Sequence, residues 1–328
     1  MAATLRDVAL AAGVSPSTVS RALSVPDMVK QSTRTRVESA VRQLGYQPNR
    51  AARGLITGRT GNIGLIVPDM SNPFFAAAAK GVQSAAGAAA HSVFIADTDE
   101  QADAEPGLLR ALAPQVDGIV LCAPRSAPDV LDAAGDTPVV LFNQHVAGRP
   151  AVTVDAADGM RQGVAHLAAL GHRRIAFVAG PQQSWAGGER ERGLRLAADT
   201  AGVDVVHLGH FAPQFQGGVA AADLALASGA TAVFAYNDLV ALGLLNRFSV
   251  RGVSVPDEIS VLGFDDIPMS SMIHPALSTI AVPTLDGGRA AVAILLSMIA
   301  GDTDDVPQRE LPTQLLVRAT TGVAPGSR

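Results

Sequence analysis

The chain has 328 residues, a formal net charge of −5 and a single cysteine, Cys122. This length exceeds one compact core, so we expect two or three domains. One cysteine excludes an intrachain disulfide, and no apolar run reaches the roughly 20 residues that a membrane-spanning helix needs. The N-terminus lacks the pattern of a secretory signal, so the composition predicts a cytoplasmic protein without a membrane partner.

Charge is divided unevenly along the chain. The residues up to Arg59 include nine basic and three acidic side chains, a net charge of +6, which leaves −11 for the remainder. A basic head on an acidic body indicates a polyanionic partner for the head alone. Charge by itself leaves open the alternative of an ordinary charged surface.

The head predicts three short helices. Thr4 and Asp7 have the spacing of a capping box, and apolar residues then recur at helical intervals. After a glycine-containing turn, Ser15 fits the N-cap of a second helix and Pro16 its first position. Gly45 follows a third amphipathic segment where a terminating glycine belongs.

Two short helices joined by such a turn form a helix-turn-helix, whose second helix enters the DNA major groove through its N-terminal residues. The residues expected near base edges are Pro16, Ser17 and Arg21. The residues expected to bond phosphates are Ser15, Thr18 and Ser20. A helical hairpin inside a larger core is the alternative, which the concentration of positive charge disfavours.

From Asn62 onward, nine apolar strand-like segments alternate with helical stretches, beginning with NIGLIVPD and ending with EISVLGFDD. This alternation predicts right-handed βαβ units and two doubly wound subdomains with parallel sheets, an α/β fold. Ligands of such sheets bind beyond the carboxyl ends of the strands.

Polar and aromatic residues gather at or near those strand ends. The polar ones are Asp69, Asn143, Asn237, Asp238, Asp265 and Asp266. The aromatic ones, which offer flat apolar faces, are Phe74, Phe75, Trp185, Phe211 and Phe264. Because hydroxyl groups need both donors and acceptors, this set suits a polyhydroxy ligand such as a sugar.

Some of these residues have an ordinary structural alternative. An Asp after a strand often caps the next helix, which we expect of Asp155 and Asp238 and leave open for Asp69. Phe74 and Phe75 could belong partly to the core.

Other patterns resemble metal-binding or catalytic motifs but do not support those functions. The segment GDTDDV lacks the glycine and distal glutamate of a calcium loop, and His207 and His210 have no third metal ligand nearby. No GxGxxG or phosphate loop is present. Paired carboxylates could hydrolyse glycosides, but no further motif favours catalysis. We therefore expect no metal, no cofactor and no enzymatic activity.

Four segments, LRDVALAAGVSPSTVSRAL, TRTRVESAVRQLGYQPNRAARGL, GNIGLIVPDMSNPFF and ISVLGFDD, together resemble the lactose-repressor (LacI/GalR) family of bacterial transcriptional regulators. The resemblance covers nearly the whole chain. It implies a helix-turn-helix domain over residues 1–48, a hinge helix over 49–58 and a periplasmic-binding-protein-like body over 59–328 for effector binding and dimerisation. The subdomains of the body would comprise about 62–155 with 284–303, and 156–283 with 304–328.

The resemblance also implies roles for individual residues in DNA binding. Leu55 would wedge into the minor groove with Ala52 beside it, which is a known way of kinking a duplex. Gly54 departs from the larger residue expected there and weakens the hinge helix by up to about 1 kcal/mol. The further DNA contacts expected are Thr4, Lys30, Thr33, Arg34, Tyr46 and Asn49.

In the cleft between the subdomains, Arg190 and Asp265 occupy the family's effector positions, with a structural ion pair as the alternative. Asn143 and Gln144 replace a commoner Asp-Arg pair. The full set of effector-binding residues expected is Asp69, Phe74, Phe75, Asn143, Gln144, Trp185, Arg190, Phe211, Asn237 and Asp265.

The sequence thus predicts a transcriptional repressor that binds a palindromic DNA operator as a homodimer and responds to a small-molecule effector, a sugar or sugar derivative. The chain ends without a heptad repeat, which favours a dimer over a coiled-coil tetramer. The alternative is a sugar-binding or sugar-processing protein with an accessory DNA-binding module.

Overall fold

The computed structural model describes residues 3–24, 26–46, 59–302 and 306–326. The chain divides into two compact units, Met1–Gly61 and Asn62–Arg328. No helix within the described ranges combines the length and the apolar character needed to cross a lipid bilayer.

The first unit contains the three predicted helices, α1 (Leu5–Ala12), α2 (Pro16–Ser24) and α3 (Gln31–Leu44). The capping box forms as expected, since the Asp7 carboxylate accepts from the Thr4 backbone N–H at 2.8 Å and the Thr4 hydroxyl accepts from the Asp7 N–H at 3.4 Å. Gly13 and Gly45 end α1 and α3 in the left-handed conformation, at φ 62° and 60°.

One small core holds these helices together. Its fully buried members are Val8, Ala9, Ala12, Val19, Ala22, Val37 and Ala40. Each helix therefore buries one face and leaves the other to solvent, as the apolar spacing predicts.

The second unit is an α/β body whose strands are β1 (Asn62–Val67), β2 (Ser92–Asp97), β3 (Gly118–Cys122), β4 (Val139–Phe142), β5 (Ala151–Val154), β6 (Arg174–Ala179), β7 (Asp204–His210), β8 (Ala232–Ala235), β9 (Ser260–Asp265), β10 (Ser278–Ala281), β11 (Gln308–Leu311) and β12 (Gln314–Leu316). Its helices are α4 (Pro73–Ala88), α5 (Glu105–Leu112), α6 (Ala156–Ala169), α7 (Trp185–Ala201), α8 (Phe215–Ala227), α9 (Asp238–Val250), α10 (Met269–Met272) and α11 (Thr284–Ala300).

Across the described residues the strands form two six-stranded sheets, which define a first and a second subdomain. Their orders are β11-β5-β4-β3-β1-β2 and β12-β10-β9-β8-β6-β7. Every pairing is parallel except that of β10 with β12, which is antiparallel. In both sheets the order reverses beside the first strand, as in doubly wound folds, so the predicted α/β architecture is confirmed.

The crossover near the C-terminus differs from the expectation in one respect. Strand β11 pairs with β5 in the first sheet, with Gln308 beside Ala151 and Leu311 beside Val154. The expected transfer of the chain to the second subdomain, at residue 304, is therefore too early. In the structure the chain makes this transfer between Leu311 and Gln314. Pairing β11 covers the edge of β5 and buries Leu311 to 2% exposure, which accounts for the later transfer.

Helices α4 and α11 pack at glycine contacts in the first subdomain. A Cβ added to Gly81 would lie 2.1 Å from the carbonyl oxygen of Leu285, and one added to Gly288 would lie 2.3 Å from that of Ala78. The absent side chains therefore allow the two helix backbones to touch.

Candidate functional site: a cavity between the two sheets and an exposed helix of the head

The carboxyl ends of strands from both subdomains surround a narrow cavity. Its lining residues are Asn72, Phe74, Phe75, Glu100, Ala123, Arg125, Asn143, Arg190, Pro213, Tyr236, Asn237 and Asp265. Six of these residues were predicted as effector contacts, namely Phe74, Phe75, Asn143, Arg190, Asn237 and Asp265. The cavity therefore lies where the strand-end rule predicts a ligand.

Arg190 and Asp265 contact each other on the second-subdomain side of the cavity. Arg190 lies on α7 and donates from Nη2 to Asp265 Oδ1 at 3.1 Å, while its Nη1 donates to the Tyr236 carbonyl. Both residues are at least 93% buried, and among the described residues Arg190 Nε has no hydrogen-bond partner. Burial raises the pKa of Asp265 to about 7, although attraction to Arg190 acts in the opposite direction.

Aromatic rings enclose the same guanidinium. Arg190 lies 3.9 Å from the ring centroid of Phe264 and 4.8 Å from that of Tyr236. These cation–π contacts fix the position of Arg190 while leaving its Nε unpartnered. The expected ion pair and the expected place in the cavity thus coexist, and the pair leaves the buried Nε of Arg190 without a hydrogen-bond partner among the described residues.

A second ion pair, on the first-subdomain side, was not predicted from the sequence. Arg125 donates from Nε and Nη2 to the two carboxylate oxygens of Glu100, at 2.7 and 3.0 Å, and from Nη1 to the Ala123 carbonyl at 2.8 Å. Arg125 follows β3 and Glu100 follows β2, so the strand-end rule that selected Asp69 and Asn143 could have selected them too.

Other cavity residues have structural duties as well. Asn237 caps α9, since its Oδ1 accepts from the Val240 N–H at 2.9 Å, and its amide donates to the Pro213 carbonyl at 2.8 Å. The expected cap at Asp238 is wrong, because Asn237 takes that position and Asp238 is buried one residue further on. Asp155 does cap its helix, accepting from the Asp158 N–H at 2.9 Å.

Four predicted effector residues, Asp69, Gln144, Trp185 and Phe211, do not line the cavity. Trp185 begins α7 and lies in a separate groove of about 840 Å³, with its ring 6.3 Å from that of His145. Arg190 follows Trp185 by five positions along the helix, a rotation of about 140°, so the two side chains leave α7 on different sides. Phe211 packs against the core of the second subdomain, and Gln144 is buried to 8% exposure.

Asp69 joins the two subdomains instead of lining the cavity. Its Oδ2 accepts from Gln214 Nε2 at 3.0 Å, across the cleft, and its Oδ1 accepts from the hydroxyl and the N–H of Ser71. Although burial raises the pKa of Asp69, the hydrogen bonds from Ser71 and Gln214 outweigh it and hold that pKa below its usual value. Asn72, and not Asp69, caps α4.

The head exposes the face of α2 that was predicted to read DNA. Pro16, Ser17 and Arg21 are exposed, while Val19 and Ala22 on the opposite face are buried. The hydroxyl of Ser15 lies 2.8 Å from those of Ser17 and Thr18. A cluster of hydroxyl groups beside an exposed arginine suits phosphate and base contacts.

The remaining predicted DNA contacts differ in their surroundings. Lys30 is exposed before α3, Thr33 and Ser20 are partly exposed, and Tyr46 packs against the small core. Arg34 pairs with Glu38 at 2.8 Å. The hinge residues Asn49, Ala52 and Leu55 lie outside the described residues.

Comparison with family profiles defines the class of protein. The profile "Bacterial regulatory proteins, lacI family" matches residues 4–49, and the profile "Periplasmic binding protein-like domain" matches residues 164–321. A helix-turn-helix head on a body of the kind that binds small ligands is the arrangement of a ligand-responsive DNA-binding regulator.

Individual relatives agree with this class over nearly the whole chain. The HTH-type transcriptional repressor CytR of Escherichia coli (strain K12) is 34% identical over 333 residues, which cover 99% of this chain and 98% of CytR. The chain therefore belongs to the LacI family of bacterial regulatory proteins and is a DNA-binding transcriptional regulator.

Solved structures show the same likeness. The lac repressor dimer bound to operator and the anti-inducer ONPF has a TM-score of 0.87 and 29% identity, covering 98% of this chain and 100% of that chain. A complex of the transcriptional regulator CelR with cellobiose has a TM-score of 0.73 and 32% identity, covering 97% of this chain and 99% of that chain.

Proposed function

We propose that this protein is a repressor that binds a palindromic operator as a homodimer and is controlled by a sugar in the cavity between its subdomains. What supports the proposal most is the cavity itself. The flat rings of Phe74 and Phe75 lie beside the amide of Asn143 and the charged groups of Arg190 and Asp265, a combination of apolar faces and paired donors and acceptors that suits a sugar.

The DNA-binding half of the proposal rests on α2. Arg21 is the strongest hydrogen-bond donor among the expected base contacts, and Ser15, Thr18 and Ser20 supply hydroxyls for phosphates. Leu55, with Ala52 beside it, would kink the operator from the minor groove. The likeness to a lac repressor solved with its operator supports this assignment.

The effector half draws support from the same cavity and from a relative. CelR, at 32% identity, was solved with cellobiose. In this chain Asn143, Arg190 and Asp265 are buried and line the same cavity, so a ligand with several hydroxyls could bond to all three.

Dimerisation draws support from apolar surface on both subdomains. Phe94 and Ile95, 40% and 37% exposed, lie on the edge strand β2, and Met272, 76% exposed, lies on α10. Beside α10 is a groove of about 1220 Å³ whose lining includes Leu242 and Ile273. A second copy of the chain would cover both surfaces, and its two-fold symmetry would match a palindrome.

The test is operator binding by the purified protein. Fluorescence anisotropy with a palindrome from its own upstream DNA should show specific binding that weakens steeply with salt and shifts with one sugar of a panel. Binding no tighter than to a scrambled duplex at every salt and sugar concentration would refute the proposal. Turnover of any sugar in the same panel would favour the alternative, a sugar-processing enzyme with a DNA-binding module.

A further inference from the structure

Four charged side chains line the cavity, and they form two arginine–carboxylate pairs. The second subdomain supplies Arg190 and Asp265, and the first supplies Arg125 and Glu100. With both carboxylates ionised, the described lining carries two positive and two negative charges, which cancel. A cavity with no net charge gives an anionic ligand no unpaired cation to replace the hydration that it loses on entry.

The first-subdomain pair is held by a buried scaffold. The carboxylate of Glu105, only 1% exposed, accepts from the backbone N–H groups of Arg125 and Ser126 at 2.6 and 3.0 Å. Glu100 has a φ of 58° and Ala123 a φ of 43°, both in the left-handed region that side chains disfavour. Strained backbone that a structure retains at a cavity points to a function there.

Arg125 also has donors to spare. Its guanidinium carries five N–H groups, and three of them reach Glu100 and Ala123. Within the described ranges the other two have no hydrogen-bond acceptor, although the Arg125 side chain is only 5% exposed. Burying an ion pair is costly when its remaining N–H groups are unmet, so a ligand that accepts from them would complete the site.

We propose that Arg125 and Glu100 form a second ligand-binding pair, which acts with Arg190 and Asp265 to select an uncharged monosaccharide over its phosphorylated or acidic derivatives. Each pair offers a donor beside an acceptor, which matches the two roles of neighbouring sugar hydroxyls. The inference rests on the proposed sugar-responsive function.

The test uses isothermal titration calorimetry on the full chain with D-ribose, D-glucose and D-galactose, and with ribose 5-phosphate, glucose 6-phosphate and gluconate. We expect wild type to bind at least one of the three neutral monosaccharides about 100-fold more tightly than the charged derivatives. Arg125→Met should weaken that sugar about 30-fold, because hydrogen bonds to a charged donor are lost.

Glu100→Gln is the sharper variant, because it keeps the shape of the side chain and removes one negative charge. It should narrow the preference for the neutral sugar over the phosphorylated one at least tenfold, a change that a merely structural role would not cause. Arg149→Met is the matched control, since Arg149 belongs to the same subdomain, is 51% exposed and lies outside the cavity lining. It should change neither affinity nor preference.

Three results would overturn the inference. They are tighter binding of a charged derivative by wild type, no binding of any of the three neutral monosaccharides, and an unchanged neutral-to-phosphate preference in Glu100→Gln. Operator binding by the same preparations separates this inference from the proposed function. If specific operator binding persists while one of these results is found, the inference fails and the DNA-binding regulator stands.

Discussion

Asp238 shows how a single carboxylate can support the ligand cavity without lining it. The side chain is fully buried, and it accepts from the Ile267 N–H at 2.9 Å and from the hydroxyls of Ser270 and Thr279 at 2.7 and 2.5 Å. It therefore holds the segment that follows Asp265. Burial outweighs these hydrogen bonds and raises the pKa of Asp238 to about 6.

The raised pKa predicts a pH-dependent stability. Because the folded pKa exceeds the unfolded value of 3.8, the contribution of Asp238 is fully present below about pH 4 and is lost as the pH rises through about 6. Asp238→Asn should remove this slope, so the free energy of unfolding of wild type minus that of the variant should fall by up to about 3 kcal/mol between pH 4 and 7.5. Urea unfolding across this range measures it.

The control for Asp238→Asn is Asp223→Asn. The hydrogen bond and charge of Arg247 lower the pKa of Asp223. The contribution of Asp223 to the stability of the fold is therefore present above about pH 4 and is lost as the pH falls. That variant should alter the profile only at the acid end. A constant difference between wild type and Asp238→Asn from pH 4 to 7.5 would contradict the buried-charge explanation.

A second prediction at the scale of single residues concerns Arg21 in the head. Arg21→Ala should cost about 1–3 kcal/mol of operator binding and reduce discrimination between operator and a mismatched duplex, because a base-reading donor is lost. Arg42→Ala removes the same charge from α3 and should weaken both duplexes equally. Anisotropy titrations with both duplexes measure the effect, and wild-type discrimination in Arg21→Ala would exclude a base-reading role.

At the scale of elements, the sequence predicts most of the body because apolar strands and amphipathic helices alternate regularly. It does not predict β11, since QREL has a single buried residue, Leu311, and forms a strand only where β5 leaves an edge to pair with. The strand-end rule could have selected Arg125 and Glu100 individually, but their pairing could not be predicted from the sequence. Strands β2 and β3 lie on opposite sides of β1, so only the assembled sheet shows that their following loops meet.

The contact of α4 with α11 makes a prediction at the same scale. Gly81→Ala places a Cβ against the backbone of α11, so the two helices must separate, and we expect the body to lose about 3 kcal/mol of stability. Gly87→Ala in the same helix meets no atom within 4 Å and should stabilise the body by up to about 1 kcal/mol. Urea midpoints of the two variants should therefore move in opposite directions, and a shared direction would show that the close contact is unimportant.

At the scale of the whole molecule, sugar and operator are linked if they select different arrangements of the same body. A saturating sugar then changes the dissociation constant of the operator by some factor. Linkage requires that saturating operator changes the dissociation constant of the sugar by the same factor. The hydrogen bond from Gln214 to Asp69 joins the two subdomains across the cleft, so it stabilises the arrangement in which the cavity is closed. Removing it should favour the open arrangement.

We therefore expect Gln214→Ala to weaken sugar binding about threefold to tenfold, since one hydrogen bond to a carboxylate is lost. Gln214 makes no side-chain cap of α8, so the helix should remain intact, and exposed Gln216→Ala is the matched control. Calorimetry with and without operator, and anisotropy with and without sugar, give the two linkage factors for each protein. They should stay equal to each other in wild type and in both variants. If Gln214→Ala leaves sugar affinity unchanged, the link across the cleft does not stabilise the closed arrangement, and the two subdomains close through other contacts.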